Sequence, residues 1–201
     1  MSENTYRPIR DYGLIGDAHT AALVSSDGSI DWLCWPRFDS PAVFCRLLDG
    51  EKGGHFRVGP AGRGATSSRA YVEGTNVLAT VFTTGGGRFR LTDLMPVERL
   101  NRRHEGEDIA SHYHVLRSVE GLSGEAEVEV SFRPTFDFAR AEATFHPYDG
   151  GILARGDGPP DAAARARDER RLVFRPHSSC PAETDIELPR GCRVYVSTPD
   201  E

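Results

Sequence analysis

Apolar and polar residues alternate along this chain in short runs, repeatedly cut by glycine, proline, asparagine, aspartate and serine. The clearest run is Glu125 to Arg133, where Ala126, Val128, Val130 and Phe132 fall on one face and Glu125, Glu127, Glu129 and Ser131 on the other. A period of two belongs to a strand with one buried and one wet face. Arg88-Phe89-Arg90-Leu91-Thr92 alternates in the same way after the run Val72 to Thr84, and Gly85-Gly86-Gly87 between them predicts a hairpin. Ser26-Asp27-Gly28-Ser29 predicts a second hairpin, between Ala21-Ala22-Leu23-Val24 and Ile30-Asp31-Trp32-Leu33-Cys34. Ser111 to Glu120 reads as a strand ended by the turn Gly121-Leu122-Ser123-Gly124. Weaker strands follow at Ala143 to His146, Ile152 to Arg155, Arg171 to Arg175 and Arg193 to Ser197, with an exposed loop and one helical turn after Asp161 expected within Gly156 to Glu169. One short helix is expected near residues 40–49. Ser40 would cap it, Pro41 would take its first position, Phe44/Leu48 and Val43/Leu47 would pair along it, and Gly50 would stop it.

About ten or more short strands with turns between them predict an all-β, antiparallel β-sandwich of two packed sheets, read as one domain over residues 1–201. The 21 glycines and 13 prolines among 201 residues support many turns over long helices. A chain of this size buries roughly 70% of its unfolded surface, so its core can hold the fold without covalent staples.

Charge removes one class of function. The net charge is −6, Lys52 is the single lysine, and the arginines of Arg165 to Arg171 are interleaved with Asp168 and Glu169. A phosphate backbone needs clustered cations, so no nucleic-acid partner is expected. The opening MSENTYRPIRDYG lacks the apolar run of a signal or anchor, which predicts no membrane association and a cytoplasmic location. Cys34, Cys45, Cys180 and Cys192 have no CxxC spacing, so free thiols are expected, with no metal and no cofactor.

The most specific stretch is DYGLIGDAHTAALVSSDGSIDWLCWPRFDSPAVFCRLLD, Asp11 to Asp49. It resembles the opening of the trehalase-like N-terminal domain that precedes the catalytic barrel of family 15 glycoside hydrolases, the bacterial glucoamylase-like and trehalase-like proteins. Thr75-Asn76-Val77-Leu78-Ala79-Thr80 leading to Thr92-Asp93-Leu94-Met95-Pro96, and Arg117-Ser118-Val119-Glu120-Gly121 leading to Arg133-Pro134, extend the likeness over roughly Tyr6 to Arg140. The resemblance implies a β-sandwich that packs on an α/α barrel in the same or a separate chain. In that family two glutamates hydrolyse α-glucosides with inversion, one as general acid and one as base. Both are implied to belong to the barrel, which does not follow here, so no catalytic residue is assigned. The expected role is non-catalytic support of the barrel. The alternative is a stand-alone carbohydrate-binding or protein-interaction module, and an exposed docking face would then favour self-association.

Within the stretch, Asp31, Trp32, Trp35, Arg37 and Asp39 suit contact with an α-glucoside, since aromatic faces stack on sugars and Arg and Asp orient hydroxyls. They also admit a structural reading, with Trp32 and Phe38 in the core, Asp39 in a helix cap and Arg37 clamped to Asp31 or Asp39. Gly16, Asp17 and His19 read either as a polar interface or as an Asx turn beside glycine. His112 and His114 share a strand face but lack a third ligand at recognisable spacing. Gly85-Gly86-Gly87 lacks the Lys-Ser/Thr of a phosphate loop, and no serine-hydrolase elbow is present.

Overall fold

The alternation has its counterpart in the computed structural model of the chain, which describes residues 6–100, 108–111, 114–148, 151–156, 171–176 and 193–197. A 3-10 turn, Ile9–Asp11, leads into β1 (Tyr12–Gly16), β2 (Ala21–Ser25), β3 (Ser29–Cys34), β4 (Ala42–Phe44), β5 (His55–Pro60) and β6 (Thr66–Tyr71). There follow β7 (Leu78–Thr83), β8 (Gly87–Leu94), β9 (Val97–Leu100), β10 (Asp108–Ser111) and β11 (His114–Gly124). The last strands are β12 (Val128–Arg133), β13 (Ala143–Tyr148), β14 (Gly151–Gly156), β15 (Arg171–Pro176) and β16 (Arg193–Ser197). Among the described residues there is no α-helix.

Pairing is antiparallel in every ladder. One sheet runs β1-β2-β3-β5-β12, with β4 on β3, and the other runs β13-β14-β15-β16-β11-β8-β7-β6; β9 and β10 form a separate ribbon. The two large sheets share a core, Ile15, Val24, Ile30, Leu33, Phe56 and Val58 from the first meeting Leu78, Phe82, Phe89, Leu91, Val115 and Val119 from the second. Each such side chain contributes about 1.5–3 kcal/mol when taken out of water. Phe56 and Phe132 meet edge to face at 5.5 Å, and Phe82 stacks on Phe89 at 5.0 Å, both preferred arrangements of the ring quadrupoles. The expected sandwich is present.

An ion pair is buried between these sheets. Arg117 on β11 and Asp93 on β8 are each 0% exposed. The guanidinium donates to Asp93 Oδ1 at 2.7 Å and Oδ2 at 3.3 Å, to the Phe56 carbonyl at 2.7 Å and to the Gly28 carbonyl at 2.6 Å. Its plane lies over the Phe56 ring, 4.7 Å from the centroid. Burial pushes the Asp93 carboxyl up, and the adjoining Arg117 charge pulls it the other way. Arg117 thus pins the β2–β3 turn and β5 to the opposite sheet. Gly28 makes the approach possible: its φ is +80°, and a Cβ there would stand 2.1 Å from the Val58 carbonyl oxygen.

Several sequence expectations hold in detail. The β2–β3 and β7–β8 hairpins form at the predicted turns, and the core-side set Ala126, Val128, Val130 and Phe132 packs as the alternation requires. Others need correction. The helix near residues 40–49 is replaced by β4 and a turn. Ala42, Val43, Phe44 and Cys45 are all buried, a run that suits a strand between two packed clusters and not a helix with one wet face. Leu33 and Cys34 pair with Phe44 and Ala42, while the Ser40 hydroxyl accepts from the Arg37 amide, upstream of it, instead of capping a helix. The run Val72 to Thr84 is not one strand: Val72–Val77 closes a β6–β7 turn, with the Val72 amide on the Val77 carbonyl. The turn placed at Gly121–Gly124 belongs to β11, which continues past a bulge between Gly121 and Ser123 to pair Gly124 with Gly87. The loop expected over most of 156–169, Cys180, Cys192 and His112 lie outside the described residues.

Candidate functional site

The β1–β2 and β3–β4 connections leave the same end of the six-stranded sheet, because Ile15 lies opposite Ala22 and Ala22 opposite Leu33. In the first connection Asp17 is buried, and its Oδ1 accepts the His19 and Thr20 amides at 2.9 and 2.8 Å. This is the Asx turn expected from Gly16-Asp17, and it holds Ala18 at φ 70°. The Thr20 hydroxyl donates to the Cys34 carbonyl at 2.5 Å, and the Phe38 amide to the His19 carbonyl at 2.9 Å. The two loops are therefore one unit.

The five residues of the Asp31–Asp39 set separate by depth. Asp31 is buried, accepting from the Tyr12 hydroxyl at 2.9 Å and the Ser29 hydroxyl at 2.5 Å, with Arg46 at 3.9 Å. Burial first, and then the Asp31 charge and hydrogen bond, push the Tyr12 phenol well above its usual value. Trp35 is buried in the main core. Trp32 is half-buried on a satellite cluster formed by Cys34, Ala42 and Cys45, against which Ala139 also packs. Both cysteines are free, and burial raises their thiols above the usual range. Arg37 and Asp39 are exposed and paired at 3.1 Å. Phe38, read as possible core, instead projects into solvent at 62% exposure.

A third segment joins this end and was not singled out in the sequence. Asp137, Phe138 and Ala139 have φ of 51°, 55° and 63°, three successive left-handed residues. Each such non-glycine residue costs roughly 1–2 kcal/mol, and runs of them are rare. Reciprocal amide–carbonyl bonds between Phe136 and Ala141 close the turn, and the Phe138 amide reaches the Ala42 carbonyl at 3.4 Å. Phe138 is left 41% exposed, beside the Asp137–Arg140 pair at 3.8 Å. Composition does not signal this turn, since none of its left-handed residues is glycine.

The outward side of the same sheet carries a second polar group. Asp27 accepts from Ser25, lies 2.7 Å from Arg7 and 3.7 Å from Arg57, and Arg57 reaches Glu129 at 2.8 Å. Burial opposes the Asp27 charge, but Ser25, Arg7 and Arg57 outweigh it and hold the carboxyl below its usual value. His55, 3.1 Å from the Ser131 hydroxyl, is pushed down to about 4 by burial and by Arg46 and Arg133. A groove of 410 Å³ on the eight-stranded sheet is lined in part by Arg69 and Arg90. Arg69 donates to the Val24 and Arg10 carbonyls, and Arg90 pairs with Glu120. Among the described residues no group of three or more His, Cys, Asp and Glu side chains could hold a metal ion. No helix there is long and apolar enough to cross a membrane.

The sequence profile of the family described as "Trehalase-like, N-terminal" matches residues 1–165. The chain belongs to that family. Among its trehalase-like relatives, the trehalase of Mycolicibacterium smegmatis is 37% identical over 171 residues, which cover 79% of this chain and 25% of the relative. The trehalase of Thermoplasma volcanium is 38% identical over 154 residues, 76% of this chain and 24% of the relative. Trehalase 1 of Sulfolobus acidocaldarius is 43% identical over 146 residues, 72% and 22% respectively. The chain spans about a quarter of the length of these curated relatives. No solved structure matches it.

Proposed function

We propose that this chain is the non-catalytic N-terminal β-sandwich of a family 15 type glycoside hydrolase, a trehalase or glucoamylase-like enzyme, and that it supports a catalytic α/α barrel. The observation that carries the reading is the extent of the likeness. Trehalases match this trehalase-like N-terminal chain over only about a quarter of their length, leaving ample chain for catalysis.

The side chains agree with a supporting role. Inverting hydrolysis needs two carboxyls with room for a water between them and a sugar beside them. The buried carboxylates Asp17, Asp31 and Asp93 are instead engaged by backbone amides, by hydroxyls and by Arg117. Purified alone, the chain should release no glucose from trehalose or maltose. Enzyme-like turnover that survives exhaustive purification would overturn the reading.

A second reading is direct contact with an α-glucoside through the Asp31–Asp39 loop, favoured by the partial exposure of Trp32 next to the Arg37–Asp39 pair. It predicts that trehalose or maltose changes the tryptophan fluorescence, and that Trp32→Ala and Arg37→Ala abolish the change. Binding unaffected by both substitutions would refute it. A cytoplasmic location goes with either reading.

A further inference from the structure

Two exposed phenylalanines stand at the loop end of the six-stranded sheet, and each is flanked in sequence by the members of an ion pair. Phe38 follows Arg37 and precedes Asp39, which pair at 3.1 Å. Phe138 follows Asp137, which pairs with Arg140 at 3.8 Å. Both segments are tied down close to β4: the Trp35 amide donates to the Pro41 carbonyl and the Phe138 amide to the Ala42 carbonyl. Next to these ties Trp32 and Ala139 pack on Cys34, Ala42 and Cys45. Exposed aromatic residues with charged neighbours on a packed base are the residue types from which protein interfaces are built.

The exposure of Phe138 is built in by the backbone. Three left-handed residues hold it outward, and such a conformation persists only where surrounding contacts impose it, which is characteristic of functional segments. The remaining exposed apolar groups differ. Ile9, Val97, Leu122 and Phe145 are spread over the first turn, β9, β11 and β13, and Val72 lies in the β6–β7 turn. Tyr6 and Leu48 are joined to each other, the Tyr6 hydroxyl donating to the Leu48 carbonyl at 3.3 Å. The Leu14–Tyr71 pair is already committed, the Tyr71 hydroxyl bonding both the amide and the carbonyl of Leu14 across the sheets.

We propose that the Phe38–Phe138 surface, rimmed by Arg37, Asp39, Asp137 and Arg140, is where this domain docks the catalytic portion of a trehalase chain. The proposal rests on the supporting role argued above and deepens it by assigning the contact. The occupant follows from the relatives, trehalases that carry about three-quarters of their length outside the matching part. Aromatic anchors in a water-excluding ring of near-neutral contacts carry most of the energy of such interfaces.

The test is co-expression of this chain, tagged, with the remaining three-quarters of the Mycolicibacterium smegmatis trehalase as a separate polypeptide. The affinity of the purified pair is then compared among variants. Wild-type chain and the distant control Phe145→Ser should form the complex equally. Phe38→Ser and Phe138→Ser should each weaken it at least tenfold, while the melting temperature of the variant chains alone stays within a few degrees of wild type. A complex indifferent to both phenylalanines would refute this surface and leave the supporting role standing. Failure of the wild-type chain to associate would refute both. Self-association through these phenylalanines, or their protection by trehalose alone, would also overturn the assignment.

Discussion

At the residue scale, buried charge is the decisive feature. Arg117 satisfies two carbonyls on the six-stranded side and one carboxylate on the eight-stranded sheet, so removing it strands the Asp93 carboxyl without that partner in a dry core. Arg117→Met should destabilise the chain by about 3–5 kcal/mol in urea unfolding. The double replacement Arg117→Met, Asp93→Leu should recover a large part of that loss, because it removes the stranded carboxyl. Additivity of the two single changes would show that the pair is not coupled. His55 sets a second residue-level expectation. Its folded value of about 4 lies below the ordinary 6.5, so the unfolded chain binds more protons between those limits. Stability should therefore rise with pH from about 4 to 6.5 and level off above. Partial solvation of the ring reduces the effect to about 1–2 kcal/mol. His55→Asn should flatten this part of the pH profile; an unchanged slope would assign it to other groups.

At the scale of elements, the 137–140 turn sets stability against presentation. Phe138 is left-handed and 41% exposed, so Phe138→Gly removes a conformational penalty of about 1–2 kcal/mol but gives up the covered part of the ring and loosens the unfolded chain. These effects oppose one another, so the isolated chain should keep its stability within about 1 kcal/mol, read as a nearly unchanged denaturation midpoint. The same change deletes the aromatic group placed at the proposed docking surface, so a chain of similar stability that docks less well is the expected combination. A large loss of stability would mean that packing of the ring outweighs the strain of its backbone. β4 teaches a related lesson about sequence patterns. Phe44/Leu48 and Val43/Leu47 satisfy helical spacing, yet Leu48 is exposed and residues 42–45 are buried. Backbone pairing with β3 and burial from both sides outweighed the local helical signal.

For the whole molecule, the shared core and the Arg117 clamp link the two large sheets, so neither should unfold before the other. Tryptophan fluorescence, which reports from Trp32 and Trp35 on the six-stranded side, should trace the same urea transition as far-ultraviolet circular dichroism, to which every strand contributes. Separated midpoints would show that the sheets are independent units.

Legibility in the sequence followed the range of the interactions. Strand alternation, the Asp27-Gly28 and Gly85–Gly87 turns and the Asx turn at Asp17 were readable, because each depends on residues within a few positions of one another. Family membership was legible for the same reason, in the unbroken stretch from Asp11 to Asp49. Depth was not. Asp31 and Arg37 look equally available in the sequence, but one is covered by Tyr12, Ser29 and Arg46 while the other faces water. The core-facing positions of Asp93, beside Phe89 and Leu91, and of Arg117, between Val115 and Val119, hinted at a buried pair without revealing their partnership. Tertiary structure alone decided which polar groups are sealed, which aromatics are exposed and where the chain turns left-handed. Those outcomes depend on contacts between residues tens of positions apart, whose burial and hydrogen-bond satisfaction no local pattern encodes.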